Sequence, residues 1–358
     1  MNTQFLLRQG RLVRGLAKRG LARTGILLLA ACILVLGMNI SNAKSKKLPK
    51  KPLSHAIIAN QGTVGVISGG FGSTNLRIVS DLATVLNRKH ELRLLPMIGQ
   101  GSVQNIDDIL YLKGIDVGIV QSDVFEVFKK NGTRPDIINT VNYISKLFNV
   151  EFHLIGKPNI SSIQDLAGQT VSFGVEGSGT SVTGSIVFDR LGIPVKPVYL
   201  DFDLAVQQVK SGKIAALAYV SGKPTSVIAS LKRSDGLHFI PVDYAKPLRS
   251  TYYPAFLSSG DYPGMIGKGD RVPAISVGTI MAVYNWKVSK NGWRSARYRK
   301  VKSFIDAFFS HYQELKKAPR HPKWREMNIA AEVPGWTRFS PAQERLNDEL
   351  KKRKKKGT

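Results

Sequence analysis

The chain has 358 residues, 43% of them apolar, a net charge of +27 and one cysteine. That length and apolar content suffice for a globular body of one or two domains. A lone cysteine excludes an intrachain disulfide and a cysteine-built metal cluster.

The N-terminus reads as an export signal. Residues 1–25 hold six basic residues and no acid, Ile26 to Met38 is apolar, and "SNA" ends at Ala43. A basic region, an apolar core and a small-x-small site make a secretory signal peptide, cleaved after Ala43. The apolar run is short of the roughly 20 residues of a spanning helix. Two alternatives stay open: an uncleaved anchor, and lipidation at Cys32, which sits in the lipoprotein-like "LAAC". The signal, "KSKKLPKK" (Lys44 to Lys51) and "KKRKKK" (Lys351 to Lys356) hold most of the charge and leave about +10 on the body. The two basic tails read as disordered. They are solvated tails or contacts to anionic lipid. An export signal argues against nucleic acid as a partner.

The body alternates strand and helix patterns. Thr63 to Ser68 reads as a strand and Thr74 to Lys89 as an amphipathic helix. Leu92 to Ile98 is a second strand. Gly101 to Gly114 is a helix with Ser102 as N-cap and Gly114 as its closing glycine. Asp116 to Asp123 is a buried strand. The same grammar recurs from Glu151: a strand, a short helix and strand ending at Gly174, a turn and helix over Gly177 to Ile193, and strands around "FDLAVQQVKSG". Ile275 to Trp286 is a late strand that returns the chain to the first lobe. Ser295 to Lys317 is an amphipathic helix, and Pro319, Pro322 and Pro334 mark an irregular tail containing "PGWTRF". Such alternation predicts an α/β protein of two lobes with mostly parallel sheets.

Known catalytic patterns are missing. "GGFGSTN" has no lysine for a Walker loop and wrong spacing for a dinucleotide fingerprint, as has "GVEGSGTSVTG". Ser178 lacks the glycine two residues earlier that a hydrolase elbow needs. The six histidines are scattered without metal-binding spacing. Asp107–Asp108 and Asp201/Asp203 have no adjacent nucleophile. No enzyme activity and no cofactor is expected. What stands out is three Gly/Ser turns that open helices: after Gly69–Gly70, at Gly101–Ser102 and at Gly177–Thr180. Helix N-termini offer unpaired N–H groups and partial positive charge to an anion. All three follow strand ends, where open α/β sheets bind ligands.

The stretch from Met97 to Val124 resembles the signature of TAXI proteins, the TRAP-associated extracytoplasmic solute receptors. The matching residues are Gly101, Ser102, Val103, Asn105, Gly114, Asp116, Val120, Gln121 and Asp123. "DLAGQTVSFGVEGSGTSVTGSIVFDRLGI", "SGKIAALAYVSGKPTSVI" and "YYPAFLSSGDYPG" resemble three later segments of that family, and the likeness runs from about Gly62 to Tyr312. It departs at "FGST" (Phe71 to Thr74), where many members have an aromatic pair, and at Ala215, where an Asp is frequent.

The resemblance implies a periplasmic binding protein of type II fold with a hinge. It would capture a small organic anion, such as an amino acid or dicarboxylate, and deliver it to an ion-gradient-driven TRAP-type permease. Ligand contacts would come from Gly70, Phe71, Thr74, Gly101, Ser102, Val103, Gln121, Asp123, Ser178, Gly179, Thr180, Tyr219, Pro224 and Thr225. The expected organisation is signal 1–43, basic linker 44–54, first lobe 55–153, second lobe 154–273, a return to the first lobe over 274–317, an extension 318–350 and a basic tail 351–358. A second reading is an exported or membrane-tethered interaction protein on the same fold, without transport.

Overall fold

A computed structural model describes residues 54–87 and 92–356. The signal peptide, the basic run Lys44 to Lys51 and Cys32 lie outside these residues. Ten strands make one sheet: β1 Thr63–Ile67, β2 Arg93–Met97, β3 Val117–Gln121, β4 Val141–Gly156, β5 Thr170–Ser172, β6 Lys196–Val198, β7 Ala216–Ser221, β8 His238–Phe239, β9 Tyr253–Ser258 and β10 Arg271–Tyr284. Among the described residues ten α-helices accompany them: α1 His55–Gln61, α2 Thr74–Leu86, α3 Ser102–Tyr111, α4 Val124–Asn131, α5 Ile137–Thr140, α6 Gly179–Arg190, α7 Phe202–Ser211, α8 Ser226–Ala229, α9 Gly292–Leu315 and α10 Ser340–Lys356.

The order along the sheet is β2-β1-β3-β10-β4-β7-β5-β6, with β9 beside β10 and β8 beside β4. Each end repeats one plan. The first strand of a set lies between the second and the third, parallel to both, and a long antiparallel strand follows. The long strands β4 and β10 pair with each other from Ser276–Glu151 to Tyr284–Val141. At one end β10 borders β3, and at the other β4 borders β7. The chain therefore folds as a mixed α/β protein with the two-lobed, type II periplasmic-binding-protein architecture. The parallel pairs lie toward the flanks of the sheet, whereas β4 and β10 are antiparallel to their neighbours.

Local chemistry accounts for the elements. All five residues of β3 are buried, as a strand covered on both faces requires. In α2 the stripe Ile78, Val79, Leu82, Ala83 and Leu86 is buried, and the Ser73 hydroxyl caps the helix by accepting from Leu76 N–H at 3.3 Å. Helix α3 departs from its sequence reading at both ends. Its cap is Gly101 and it stops at Tyr111, three residues short of Gly114. Ser102 does not cap because its hydroxyl is turned to Gln121.

The C-terminal extension is a strap rather than an irregular tail. Trp324 is fully buried and its indole N–H donates to Asp81 on α2 at 3.1 Å. Trp336 stacks on Phe125 of α4 with ring centroids 3.6 Å apart. Just before Trp324, Lys323, 2% exposed, ion-pairs with Glu151 of β4 at 2.6 Å. The other oxygen of Glu151 accepts from Lys223 N–H at 2.9 Å. Burial pushes the Glu151 carboxyl up, and the ammonium of Lys323 pulls it back. The run Lys351 to Lys356 is also helical, not disordered, because it continues α10. Phe339, Ala342 and Leu346 bury that helix's start, and Glu349 pairs with Arg345 and Lys352 near its end.

A buried ion pair is most damaging when one partner is removed. Lys323→Met should lower the unfolding free energy by about 3–5 kcal/mol in urea titration. Lys323→Met combined with Glu151→Gln should recover much of that loss.

Candidate functional site

Between the two sets of strands lies a cavity of about 560 Å³. Its first wall comes from the turns after β1 and β2: Ser68, Gly69, Gly70, Phe71 and Ser73, then Gly99, Gln100 and Gly101. Its second wall comes from the turns after β5 and β6, including Ser172, Gly174, Ser178, Gly179 and Thr180, then Asp201, Phe202 and Asp203. The start of four helices, α2, α3, α6 and α7, thus reaches one space. Gln121 at the end of β3 and Tyr219 in β7 complete it.

The walls meet closely. A Cβ on Gly101, whose φ is +134°, would stand 2.5 Å from the Ser178 Cα. The Val103 N–H donates to the Gly177 carbonyl at 3.1 Å. The Gln121 amide lies against Gly179, leaving no room for a side chain there. Glycine at both positions is what lets the two halves touch.

The cavity floor is held from behind by a histidine. His153 is fully buried, with Nδ1 3.1 Å from the Tyr219 carbonyl and Nε2 2.8 Å from the Tyr262 hydroxyl. Burial drives its pKa down to about 4, so the ring is neutral at pH 7. The Tyr219 carbonyl can only accept, so Nδ1 carries the proton and Nε2 accepts from Tyr262. Tyr219 itself packs edge-on against Phe202, and Phe71 is 81% exposed at the rim.

Eight residues named from the sequence line this cavity: Gly70, Phe71, Gly101, Gln121, Ser178, Gly179, Thr180 and Tyr219. Six do not, each for a visible reason. Thr74 is buried and its hydroxyl donates to the Gly222 carbonyl at 2.9 Å. Ser102 has no exposed surface and is spent on Gln121. Val103 meets Gly177 through its backbone. Pro224 and Thr225 border a separate depression beside Arg77 and His321.

Asp123 is the sixth. It is buried, and its Oδ2 accepts from the Thr183 hydroxyl on α6 at 2.7 Å and the Tyr252 hydroxyl at 3.0 Å. It ties the two halves together beside the cavity rather than within it. Burial raises its pKa to about 6, against the lowering effect of those two bonds. Next to it Glu126 accepts from Arg190 at 2.7 Å and from Thr251 at 2.8 Å.

Sequence reasoning did not assign Asp201, Phe202, Asp203, Ser172 or Asn75 to the site. The two aspartates were weighed only as catalytic groups. Their signal was the same strand–turn–helix grammar as the glycine turns, with Asp201 as N-cap, accepting from Leu204 N–H at 2.9 Å. The Ser172 hydroxyl and the Asn75 carbonyl oxygen are buried without a hydrogen-bond partner, both on residues of the cavity wall. No lysine, arginine or histidine lines the cavity among the described residues.

Residues 66–287 match the model of the NMT1-like family. The chain belongs to the NMT1-like family. This NMT1-like protein also resembles solved structures of binding proteins. One is an amino acid ABC transporter substrate-binding protein, AbpA from Streptococcus pneumoniae, bound to L-arginine (12% identity, 83% of this chain and 98% of that one, TM-score 0.39). Another is the periplasmic aliphatic sulphonate binding protein SsuA from Escherichia coli (14% identity, 82% and 88%, TM-score 0.41). A third is the effector binding domain of QuiR in complex with shikimate (12% identity, 67% and 94%, TM-score 0.40). Among the described residues of this NMT1-like protein, no helix is long and apolar enough to cross a membrane.

The raised Asp123 pKa gives a pH signature. The folded form holds this proton more tightly than the unfolded chain, so its contribution is greatest below pH 4 and falls as pH rises to about 6. The stability of the wild type relative to Asp123→Asn should drop across that window by on the order of 3 kcal/mol. Thermal unfolding of both proteins from pH 4 to pH 7 measures it, and parallel curves would mean Asp123 stays ionised.

Proposed function

We propose that the protein is an extracytoplasmic solute receptor of the TAXI type. It would bind a small carboxylate-bearing solute between its lobes and deliver it to a TRAP-type permease. The observation that carries this reading is the convergence of the α2, α3 and α6 starts on one cavity. Their backbone N–H groups suit a carboxylate that has left water, which needs its hydrogen bonds replaced. Gly70, Gly101, Gln121, Ser178, Gly179 and Thr180 are the proposed contacts, with Phe71, Phe202 and Tyr219 covering the apolar part. The export signal supports a periplasmic site of action.

The cavity chemistry narrows the ligand within that class. Among the described residues Asp203 and the capping Asp201 are the only acidic groups on the wall, and no basic side chain opposes them. A dicarboxylate would bring a second negative charge to a site without a counter-ion. A zwitterion, with its carboxylate on the helix starts and an ammonium toward Asp203, fits both walls. The interaction-protein reading rests on "PGWTRF" and the basic tails, and the Trp336 of that segment is stacked on Phe125.

The test is a thermal-shift screen of amino acids, monocarboxylates, dicarboxylates and sulfonates. A native-state ligand at a hundredfold excess over its Kd stabilises by about 2.7 kcal/mol, a shift of several degrees. A Cβ on Gly70 would meet nothing within 4 Å, so Gly70→Trp should fold normally yet fill the cavity and abolish the shift. Asp203→Asn should weaken amino acids selectively. Failure of every compound to shift the folded wild type would defeat the receptor reading.

A further inference from the structure

The loop that joins β10 to α9 has no part in the cavity. It lies beyond Tyr284, which pairs with Val141 at the start of β4. The cavity lies past the carboxyl ends of β1 and β3, and Val283 already pairs with Val117 at the amino end of β3. The loop is therefore on the far side of the first lobe from the cavity mouth.

This loop exposes apolar surface ringed by cations. Val288 is 77% exposed and Trp293 55%, and the Asn285 N–H ties the loop to the Thr140 carbonyl. Lys287, Lys290 and Arg294 are exposed around them. No acid occurs from Asn285 to Ile305. On α9, by contrast, Arg297 and Lys300 are committed to the buried Asp116 and Lys302 to Asp306. On the neighbouring α5 turn, Asp136 takes the Thr140 hydroxyl. The loop keeps its shape: Asn291 caps α9 by accepting from Trp293 and Arg294 N–H, and Trp293 packs edge-on against the buried Trp286.

We propose that this loop docks the protein onto an anionic lipid bilayer. A half-exposed tryptophan is suited to the headgroup level, where its ring is covered and its N–H still finds a partner. Val288 reaches the acyl boundary, and the three cations sit in the field of acidic headgroups. The basic end of α10 is a separate feature. Arg353 lies over Tyr312, and 19 residues of α9 place that point about 28 Å from Trp293. Docking through the loop leaves the cavity mouth uncovered, so the surface does not depend on the receptor reading.

The experiment uses the full chain with vesicles of phosphatidylglycerol or phosphatidylcholine carrying brominated acyl chains, which quench nearby tryptophan. Trp286, Trp324 and Trp336 are all buried, so Trp293 dominates what the lipid can reach. Phosphatidylglycerol should quench a component that Trp293→Tyr removes. Lys287→Glu with Lys290→Glu should raise the lipid concentration for half-quenching by about tenfold or more. Removing Lys351–Lys356 should leave that component in place. Melting curves confirm that each variant is folded. Equal quenching by phosphatidylcholine, indifference to the charge reversals, or no Trp293 component with either lipid would overturn the proposal.

Discussion

The pairing of β4 with β10 is the constraint on which the rest of the molecule depends. These two strands are shared by both halves of the sheet, so every other element takes its place from their register. One end of their pairing is Glu151, whose carboxylate can be buried only because Lys323 arrives from the far end of the chain. The pair and the strap are thus one unit. An ion in that position requires a partner with good geometry, and the partner fixes where the last forty residues run.

The cavity follows from the same plan. Repeating a first-strand-in-the-middle arrangement in each half brings strand ends, and hence helix starts, toward each other from opposite sides. Gly101 and Gly179 then set how near those helix starts come. The result is a wall of helix starts with little side-chain charge. That wall offers helix-start dipoles and an acidic corner at Asp201 and Asp203, with no basic side chain among the described residues.

Much of this was legible in the sequence because it is written in local patterns. The alternation of β1, β3 and β7 with amphipathic helices gave two lobes, and glycine–serine turns marked three of the four helix starts around the cavity. What escaped was set by distant partners. The first half of β4, "VNYISKLFN", carries buried Asn142 and Ser145 and does not read as a buried strand. Its Lys146 lies over the Tyr253 ring, a contact no local pattern encodes. Ser102 and Asp123 are polar residues at element ends, which is how ligand contacts look. Each is instead engaged internally, Ser102 by Gln121 and the Asp123 Oδ2 by Thr183 with Tyr252. The lysine run near residue 351 was misread for the opposite reason: its composition is that of a disordered tail, yet it rides on a helix anchored by Phe339 and Leu346.

The strap also bears on the order in which the protein can assemble as the chain emerges amino end first. The second half draws its strands and helices from residues between about 150 and 276, a nearly unbroken span. The first half needs β1 to β3 from early in the chain but also the end of β10, α9 and the Trp324 that closes over Asp81. A chain arriving amino end first must keep the apolar faces of α2 and β1 waiting for some two hundred residues. The second half can therefore close early, and the first half closes only when the carboxyl end is present.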